Sequence, residues 1–121
     1  MGVSKKGKRK LVHRNVEYYW YMKLTDDWMY AYNKPQLHIV SEDKKLLISY
    51  QPKQQNENPF LILKGENIPG VTEPLRSWRR VKVPEWKDDE ITPGFVSALL
   101  DWCYDETKQV VLVDYLGRLE N

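Results

Sequence analysis

The chain has 121 residues, a formal net charge of +2 and one cysteine. That length suits a single domain, and a lone cysteine excludes an intrachain disulfide and favours a reducing compartment. Charged residues make up 30% and hydrophobic residues 41% of the chain, which is typical of a globular protein rather than a disordered one. The net charge is too small to indicate nucleic-acid binding by itself.

The sequence contains no targeting or membrane-spanning pattern. Its basic N-terminus is not followed by the apolar segment of a signal peptide, and no run reaches the roughly 18 apolar residues that a bilayer-crossing helix needs. We therefore expect a cytoplasmic protein without membrane contact. Residues 1–7 are predicted to be a flexible basic N-terminus, residues 8–117 a single α+β domain, and residues 118–121 a tail.

The first predicted elements form a hairpin that is rich in aromatic residues. Residues 8–13 and 16–24 are predicted strands, separated by Arg14-Asn15. Alternation along VEYYWYMKL predicts that one face carries Val16, Tyr18, Trp20, Met22 and Leu24, and the other Glu17, Tyr19, Tyr21 and Lys23. A two-residue loop would pair His13 with Val16, although arginine suits such a turn poorly and a longer loop stays open.

The middle of the chain predicts further short strands. Residues 25–27 are a predicted turn, residues 28–32 a short strand or an aromatic loop, and Pro35 a break, since proline cannot donate to a strand ladder. Residues 36–41 and 46–50 form the clearest hairpin around a charged turn. Residues 51–58 and 66–77 are predicted loops, and residues 60–64 and 78–83 are predicted strands.

One helix is predicted, in the C-terminal half. Thr92 can cap it and Pro93 suits its first position. Its apolar stripe follows the i, i+3, i+4, i+7 spacing, with Phe95 and Trp102 beside it: Val96, Leu99, Leu100, Cys103. We expect it to end at residues 105–107, followed by a last strand at residues 109–115. The predicted fold is α+β, an antiparallel sheet of about five to seven strands in hairpins and a meander, with the helix on the face that carries Trp20.

Two short patterns resemble those of a group of bacterial proteins. Near the N-terminus, a Lys-Gly-x-Arg-Lys opening and a Tyr-x-Trp strand are formed by Lys6, Gly7, Arg9, Lys10, Leu11, Tyr18 and Trp20. Later, Thr92, Pro93, Val96 and Trp102 fit a Thr-Pro-x-x-Val helix start with a tryptophan further along. The chain thus resembles short bacterial proteins of unknown function, although Arg14-Asn15 replaces their usual turn. The resemblance implies a bacterial source and no particular activity.

Catalytic and metal-binding patterns are not predicted. His13, His38 and Cys103 lack the paired close spacing of a zinc site, so no metal or other cofactor is expected and the histidines are interpreted as strand residues. Cys103 lies near the predicted C-terminus of the helix between Asp101 and Asp105, acids that we expect to raise its pKa. No nucleophile elbow or phosphate-binding loop is present. An enzyme of unknown reaction is therefore only a second alternative.

Charge is strongly segregated along the chain. Up to Lys23 the bases outnumber a single acid, Glu17, whereas residues 85–106 carry acids and a single base, Lys87. The lysines of the first strand alternate onto the same predicted face as two tyrosines, and this candidate binding surface comprises Lys8, Lys10, Tyr19 and Tyr21, extended by Arg79 and Arg80.

Two functions fit this surface. We expect a non-enzymatic binding or assembly module that associates with a protein partner or with itself, since tyrosines are enriched at interfaces and opposed charges orient partners. The alternative is single-stranded nucleic-acid binding through the same face, with cations for phosphates and rings for bases. Whether the rings of Tyr19 and Tyr21 are exposed or covered by the chain's own loops is left open by the sequence.

Overall fold

The computed structural model describes residues 8–27, 32–54, 58–65, 75–108, 110–114 and 118–119. Six antiparallel strands form one sheet in sequence order, and one helix follows them. The elements are β1 (Arg9–His13), β2 (Val16–Asp27), β3 (Tyr32–Ser41), β4 (Leu46–Tyr50), β5 (Phe60–Gly65), β6 (Leu75–Lys82) and α1 (Pro93–Cys103). The predicted α+β class and the predicted meander are confirmed.

A two-residue turn sets the register of the first hairpin. Arg14 and Asn15 have φ angles of 50° and 66°, the left-handed pair that a tight hairpin turn requires. β1 and β2 consequently pair His13 with Val16 and Lys10 with Tyr19, as the two-residue loop predicts. Arginine accepts the left-handed conformation here, and the hairpin forms without a longer loop.

β2 and β3 are longer than predicted. The expected turn at residues 25–27 belongs to β2, and Pro35 lies inside β3 opposite Leu24 rather than ending it. Pairing between β3 and β4 starts at Leu37, so at Pro35 the strand has a neighbour on one side only. A proline is tolerated in such an edge position because its missing N–H breaks no ladder bond. Residues 28–31, predicted as strand or loop, lie outside the described residues.

The remaining strands lie close to the predicted positions. The hairpin of β3 and β4 is confirmed, and β5 ends at Gly65 as expected. β6 begins at Leu75, so the last three residues of the predicted loop at 66–77 are strand, and residues 66–74 lie outside the described part of the chain. Of the exposed loop predicted at 51–58, residues 51–54 and 58 are described and contain no strand.

The helix begins as its sequence predicts. The Thr92 side chain accepts a hydrogen bond from the Phe95 backbone N–H at 3.1 Å, and Pro93 occupies the first turn. The buried residues are the predicted stripe, Val96, Leu99, Leu100 and Cys103. The helix ends at Cys103, earlier than expected, and the Tyr104 N–H then bonds the Leu100 carbonyl at 3.1 Å.

The core lies between α1 and one face of the sheet. Trp20 is 3% exposed and belongs to the same buried cluster as Leu99 and Leu100, which confirms the face predicted to carry the helix. At the start of the helix, Phe95 packs against Tyr50 with ring centroids 5.7 Å apart. Met22 shares this parity but is 41% exposed, so the inward direction predicted for it does not bury it.

The chain after the helix returns to the sheet. Instead of a regular strand at residues 109–115, Leu112 forms a bridge with Val81 at the outer edge of β6. The Lys82 N–H bonds the Val111 carbonyl at 2.8 Å. Leu119, in the predicted tail, pairs with Val113. The last three residues of β6, Arg80 to Lys82, therefore have their outer edge covered by the chain itself. The predicted flexible segment at residues 1–7 lies outside the described residues.

In the described part of the chain, no helix combines the length and the apolar character needed to cross a bilayer.

Candidate functional site

The side of the sheet opposite α1 carries most of the predicted binding residues. Strand register places Lys10, Tyr19, Val40 and Leu47 across the sheet in one row, from β1 to β4. The next row contains Tyr21, His38, Ser49, Ile62 and Arg80. We call this surface the basic sheet face. Among the side chains that the structure describes, its cations are Lys8, Lys10, Lys23, Lys64, Arg80 and Lys82.

Tyr21 lies within a small cluster of polar and aromatic groups. The Lys8 ammonium is 5.1 Å from the centroid of the Tyr21 ring, and the His38 ring stacks beside Tyr21 with centroids 5.1 Å apart. Burial, and secondarily the charge of Lys23, lowers the pKa of His38 from its ordinary value of 6.5. His38 is therefore neutral at neutral pH, and the ring of Tyr21 already has a cation of its own chain over it.

Tyr19 is buried, unlike the other predicted contact residues. It is 1% exposed, and its hydroxyl donates to Glu17 at 3.5 Å. The ring lies on β2, between Lys10 on β1 and Val40 on β3. The interpretation of Tyr19 as a contact residue is thus corrected, because a ring with 1% exposure offers a partner almost no surface. Tyr21 is the tyrosine of the predicted pair that is partly accessible.

The two arginines predicted to extend the surface lie on opposite faces. Arg80 pairs with Ile62 on the basic sheet face, and its guanidinium lies 5.9 Å from the centroid of the Phe60 ring. Arg79 pairs with Leu63, a core residue on the side of α1, and is exposed there. The extension to Arg79 is therefore wrong, since neighbouring residues of a strand point to opposite faces. Arg80 lies four strands from β2, about 19 Å along the sheet.

The centre of the basic sheet face is apolar. Val40, Leu47 and Ile62, from three adjacent strands, are each partly exposed there. Lys10 on β1 forms an ion pair with Glu17 at 3.1 Å. On the opposite margin, none of the ion pairs between described residues involves Lys64, Arg80 or Lys82. The surface therefore combines an apolar centre with cations at both margins.

A second polar cluster joins α1 to the first hairpin on the other side of the sheet. His13 is 6% exposed, and its Nε2 donates to the Asp101 carboxylate at 2.6 Å. His13 Nδ1 is buried and has no partner among the described residues. The hydroxyls of Tyr18 and Tyr104 share a hydrogen bond of 2.8 Å nearby. These contacts fix the end of the helix over β1 and β2.

Sequence reasoning did not find this second cluster. Strand parity indicated that His13 shares the inner face with Leu11 and Tyr18, and this is confirmed. Asp101, however, flanks the apolar stripe of α1, and its side chain is 61% exposed. The pairing depends on which end of the helix lies over β1. Neither the alternation along β1 nor the apolar spacing of α1 predicts that tertiary arrangement.

Cys103 is inert for a different reason from the one expected. It is 1% exposed, and burial raises the pKa of its thiol to about 12. The acids on either side, predicted to raise its pKa, are not the cause, and the nearby Lys108 acts in the opposite direction. A buried, protonated thiol is a poor nucleophile and a poor metal ligand.

Neither a metal-binding cluster nor a comparison with known proteins indicates a function. Within the residues that the structure describes, no group of three or more His, Cys, Asp or Glu side chains is arranged to hold a metal ion. No protein-family model matches the chain, and neither the curated proteins nor the solved structures gave a significant match. The basic sheet face itself is therefore the feature of this chain that indicates a function.

Proposed function

We propose that the protein is a binding module that associates with another protein through the basic sheet face. The observation that supports this is the combination of an apolar centre, formed by Val40, Leu47 and Ile62, with cations along both margins. Protein interfaces have this organisation, with an apolar core that excludes water and a polar rim that orients the partner. The lone cysteine suits action in the cytoplasm.

The charge of the face specifies the chemistry of the partner. Among the side chains that the structure describes on this face, the cations outnumber the acids, Glu17 and Glu42, which both lie near Lys10. A partner surface with acidic residues around an apolar patch would therefore complement it. Such complementarity mainly accelerates association and selects the partner, and it weakens as salt screens the charges.

The aromatic residues favour a protein over single-stranded nucleic acid. Base stacking needs accessible rings, but Tyr19 is buried, Lys8 lies over Tyr21 and Arg80 lies over Phe60. A base would have to displace these cations before it could stack. A protein partner can instead use the apolar centre without displacing them.

Two matched double variants test the proposal. Lys64→Glu with Lys82→Glu reverses two cations of the basic sheet face, whereas Arg79→Glu with Lys87→Glu makes the same charge change at exposed positions elsewhere. Nuclear magnetic resonance titrations would use a peptide rich in Glu, Leu and Tyr and, separately, an oligothymidylate of equal charge. We expect the peptide to shift the resonances of Val40, Leu47 and Ile62, and only the first variant to weaken this.

The other outcomes are informative. A mass above 14.5 kDa in light scattering that returns to the monomer value in the Lys64→Glu, Lys82→Glu variant would support the proposal, with a second copy as partner. Binding of the oligothymidylate in preference to the peptide would overturn it in favour of nucleic acid. Equal weakening by both variants would show non-specific charge attraction and would also overturn it.

A further inference from the structure

The two edges of the sheet differ in what covers them. At β6, the backbone of residues 111–113 bonds to Arg80 and Lys82. At β1, no strand among the described residues pairs with the outer side. An uncovered edge offers a row of backbone donors and acceptors to which another extended segment can bond.

The turn geometry identifies which groups of β1 point outward. A two-residue turn is closed by a hydrogen bond between its flanking residues, here His13 and Val16. Bonded and non-bonded pairs alternate along an antiparallel ladder, so the backbone groups of Val12 and Lys10 face away from β2. The structure is consistent with this phase, because the Glu17 carbonyl, opposite Val12, bonds to Glu42 on the far side of β2 at 2.9 Å.

The side chains along this edge favour a partner of opposite charge. Lys8 and Lys10 lie on the basic sheet face beside Val12, which is 58% exposed. Arg9 and Leu11 alternate with them on the side of α1. A second copy of β1 would place basic residues against basic residues, which is unfavourable. An acidic strand would instead meet cations at successive positions.

We propose that β1 binds an extended acidic segment of a partner protein by strand addition. The inference rests on the proposed function and specifies how the partner approaches the basic sheet face. In antiparallel pairing, the slightly more stable arrangement, partner residues facing Val12 and Leu11 are apolar and the following three, facing Lys10, Arg9 and Lys8, are acidic. The matching order is therefore two apolar residues followed by three acids.

Backbone methylation separates strand addition from simple charge attraction. The probe is a capped peptide containing Ile-Val-Glu-Glu-Glu. Its first and third residues face Val12 and Lys10, so their N–H groups bond to β1, whereas the N–H groups of the second and fourth residues point away. Methylating the first and third nitrogens should weaken binding about tenfold or more. Methylating the second and fourth nitrogens leaves charge and size the same and should change binding little.

Amide exchange in the protein gives a second readout. On addition of the unmethylated peptide, the amides of Lys10 and Val12 should become protected from exchange, whereas those of Leu11 and His13, already bonded to β2, should change little. Val12→Pro, which removes one outward donor at an edge position, should also weaken binding relative to Val12→Ala. If Val12→Pro does not fold, the methylated peptides still test the proposal.

The inference and the proposed function can fail separately. Equal binding of both methylated peptides, or unchanged exchange at Lys10 and Val12, would overturn strand addition. Strand addition could fail in this way while the Lys64→Glu, Lys82→Glu variant, and not its control, loses binding of the acidic peptide. In that case association through the basic sheet face would stand without strand addition. Selective loss of binding by the peptide methylated at its first and third residues, with protection of those two amides, would support strand addition.

Discussion

The two faces of the sheet contain alternate residues of the same strands but differ in burial. Trp20 is 3% exposed beneath α1, whereas its neighbour Tyr21, on the basic sheet face, stays partly accessible between Lys8 and His38. On the side of α1, aliphatic residues of the strands meet the helix stripe. On the other side, lysines and Arg80 lie around a smaller apolar centre. Alternation therefore assigns side chains to faces, and the covering element decides which face becomes core.

The polar contacts of the two faces differ in the same way. On the side of α1, the buried His13 depends on Asp101, which lies 88 positions away in the sequence. On the basic sheet face, Lys10 and Glu17 form an ion pair between adjacent strands, and both side chains are about half exposed. Removing the partner of a buried polar group destabilises the folded protein, whereas an exposed ion pair contributes little to its stability.

The largest expected effect is at Trp20. Trp20→Ala removes a ring from the shared core of sheet and helix and should lower the free energy of unfolding by about 3–5 kcal/mol. Tyr21→Ala, the next residue on the other face, is the matched control and should cost about 1 kcal/mol or less, as expected for a partly exposed side chain. Urea denaturation would measure both, and similar losses would contradict the contrast between the faces.

Tyr19 sharpens the comparison because it is buried on the basic sheet face. Tyr19→Ala should lower the free energy of unfolding by about 2–4 kcal/mol, since the ring is 1% exposed. The sequence left open whether the Tyr19 ring is exposed or covered, and its burial makes the ring part of what stabilises the fold. Tyr19→Phe removes only the hydroxyl that contacts Glu17 and should cost much less. Wild-type stability of Tyr19→Ala in urea would show that the ring does not contribute to the core.

The His13–Asp101 contact provides a third test. Asp101→Ala leaves both ring nitrogens of the buried His13 without a described partner and should cost about 1–3 kcal/mol. Glu17→Gln, which removes the ion pair of the basic sheet face, should have no measurable effect. Thermal unfolding of the two variants and the wild-type protein would measure both losses of stability. A smaller loss for Asp101→Ala than for Glu17→Gln would contradict the structural role of the contact.

The smallest effect concerns the pH dependence that His38 contributes. Its lowered pKa means that the unfolded chain binds the proton more readily than the folded protein. Stability should therefore decrease as the pH falls below 6.5, the ordinary pKa, towards the lower pKa of the folded state. His38→Gln should reduce the loss between about pH 7 and about pH 5, the range in which histidine titrates. Lys23→Gln should reduce it less, because burial is the larger cause. Unchanged pH dependence in His38→Gln would contradict this.

Much of the fold could be predicted because its signals are local. Arg14-Asn15 set the register of β1 and β2 through their turn, and the apolar spacing from Val96 to Cys103 identified the buried side of α1. The sequence does not predict that β3 continues through Pro35. A proline is tolerated in a strand where its missing N–H faces no neighbouring strand, and only the structure shows where β4 begins to pair. The sequence predicts Lys8, Lys10, Tyr21 and Arg80 on the candidate face, where the structure places them. Arg79 could have been left out from the sequence alone, because neighbouring residues of a strand point to opposite faces.

The sequence by itself determined the antiparallel class, the first hairpin, the helix and the alternation that separates the two faces. These features depend on interactions between residues that are near in sequence. Only the tertiary structure decided that Tyr19 is buried and that Asp101 meets His13. It also decided that the end of β6 has a covered outer edge, whereas no described strand pairs with the outer side of β1. Each of these depends on segments far apart in the chain, whose relative positions are set by packing rather than by local pattern.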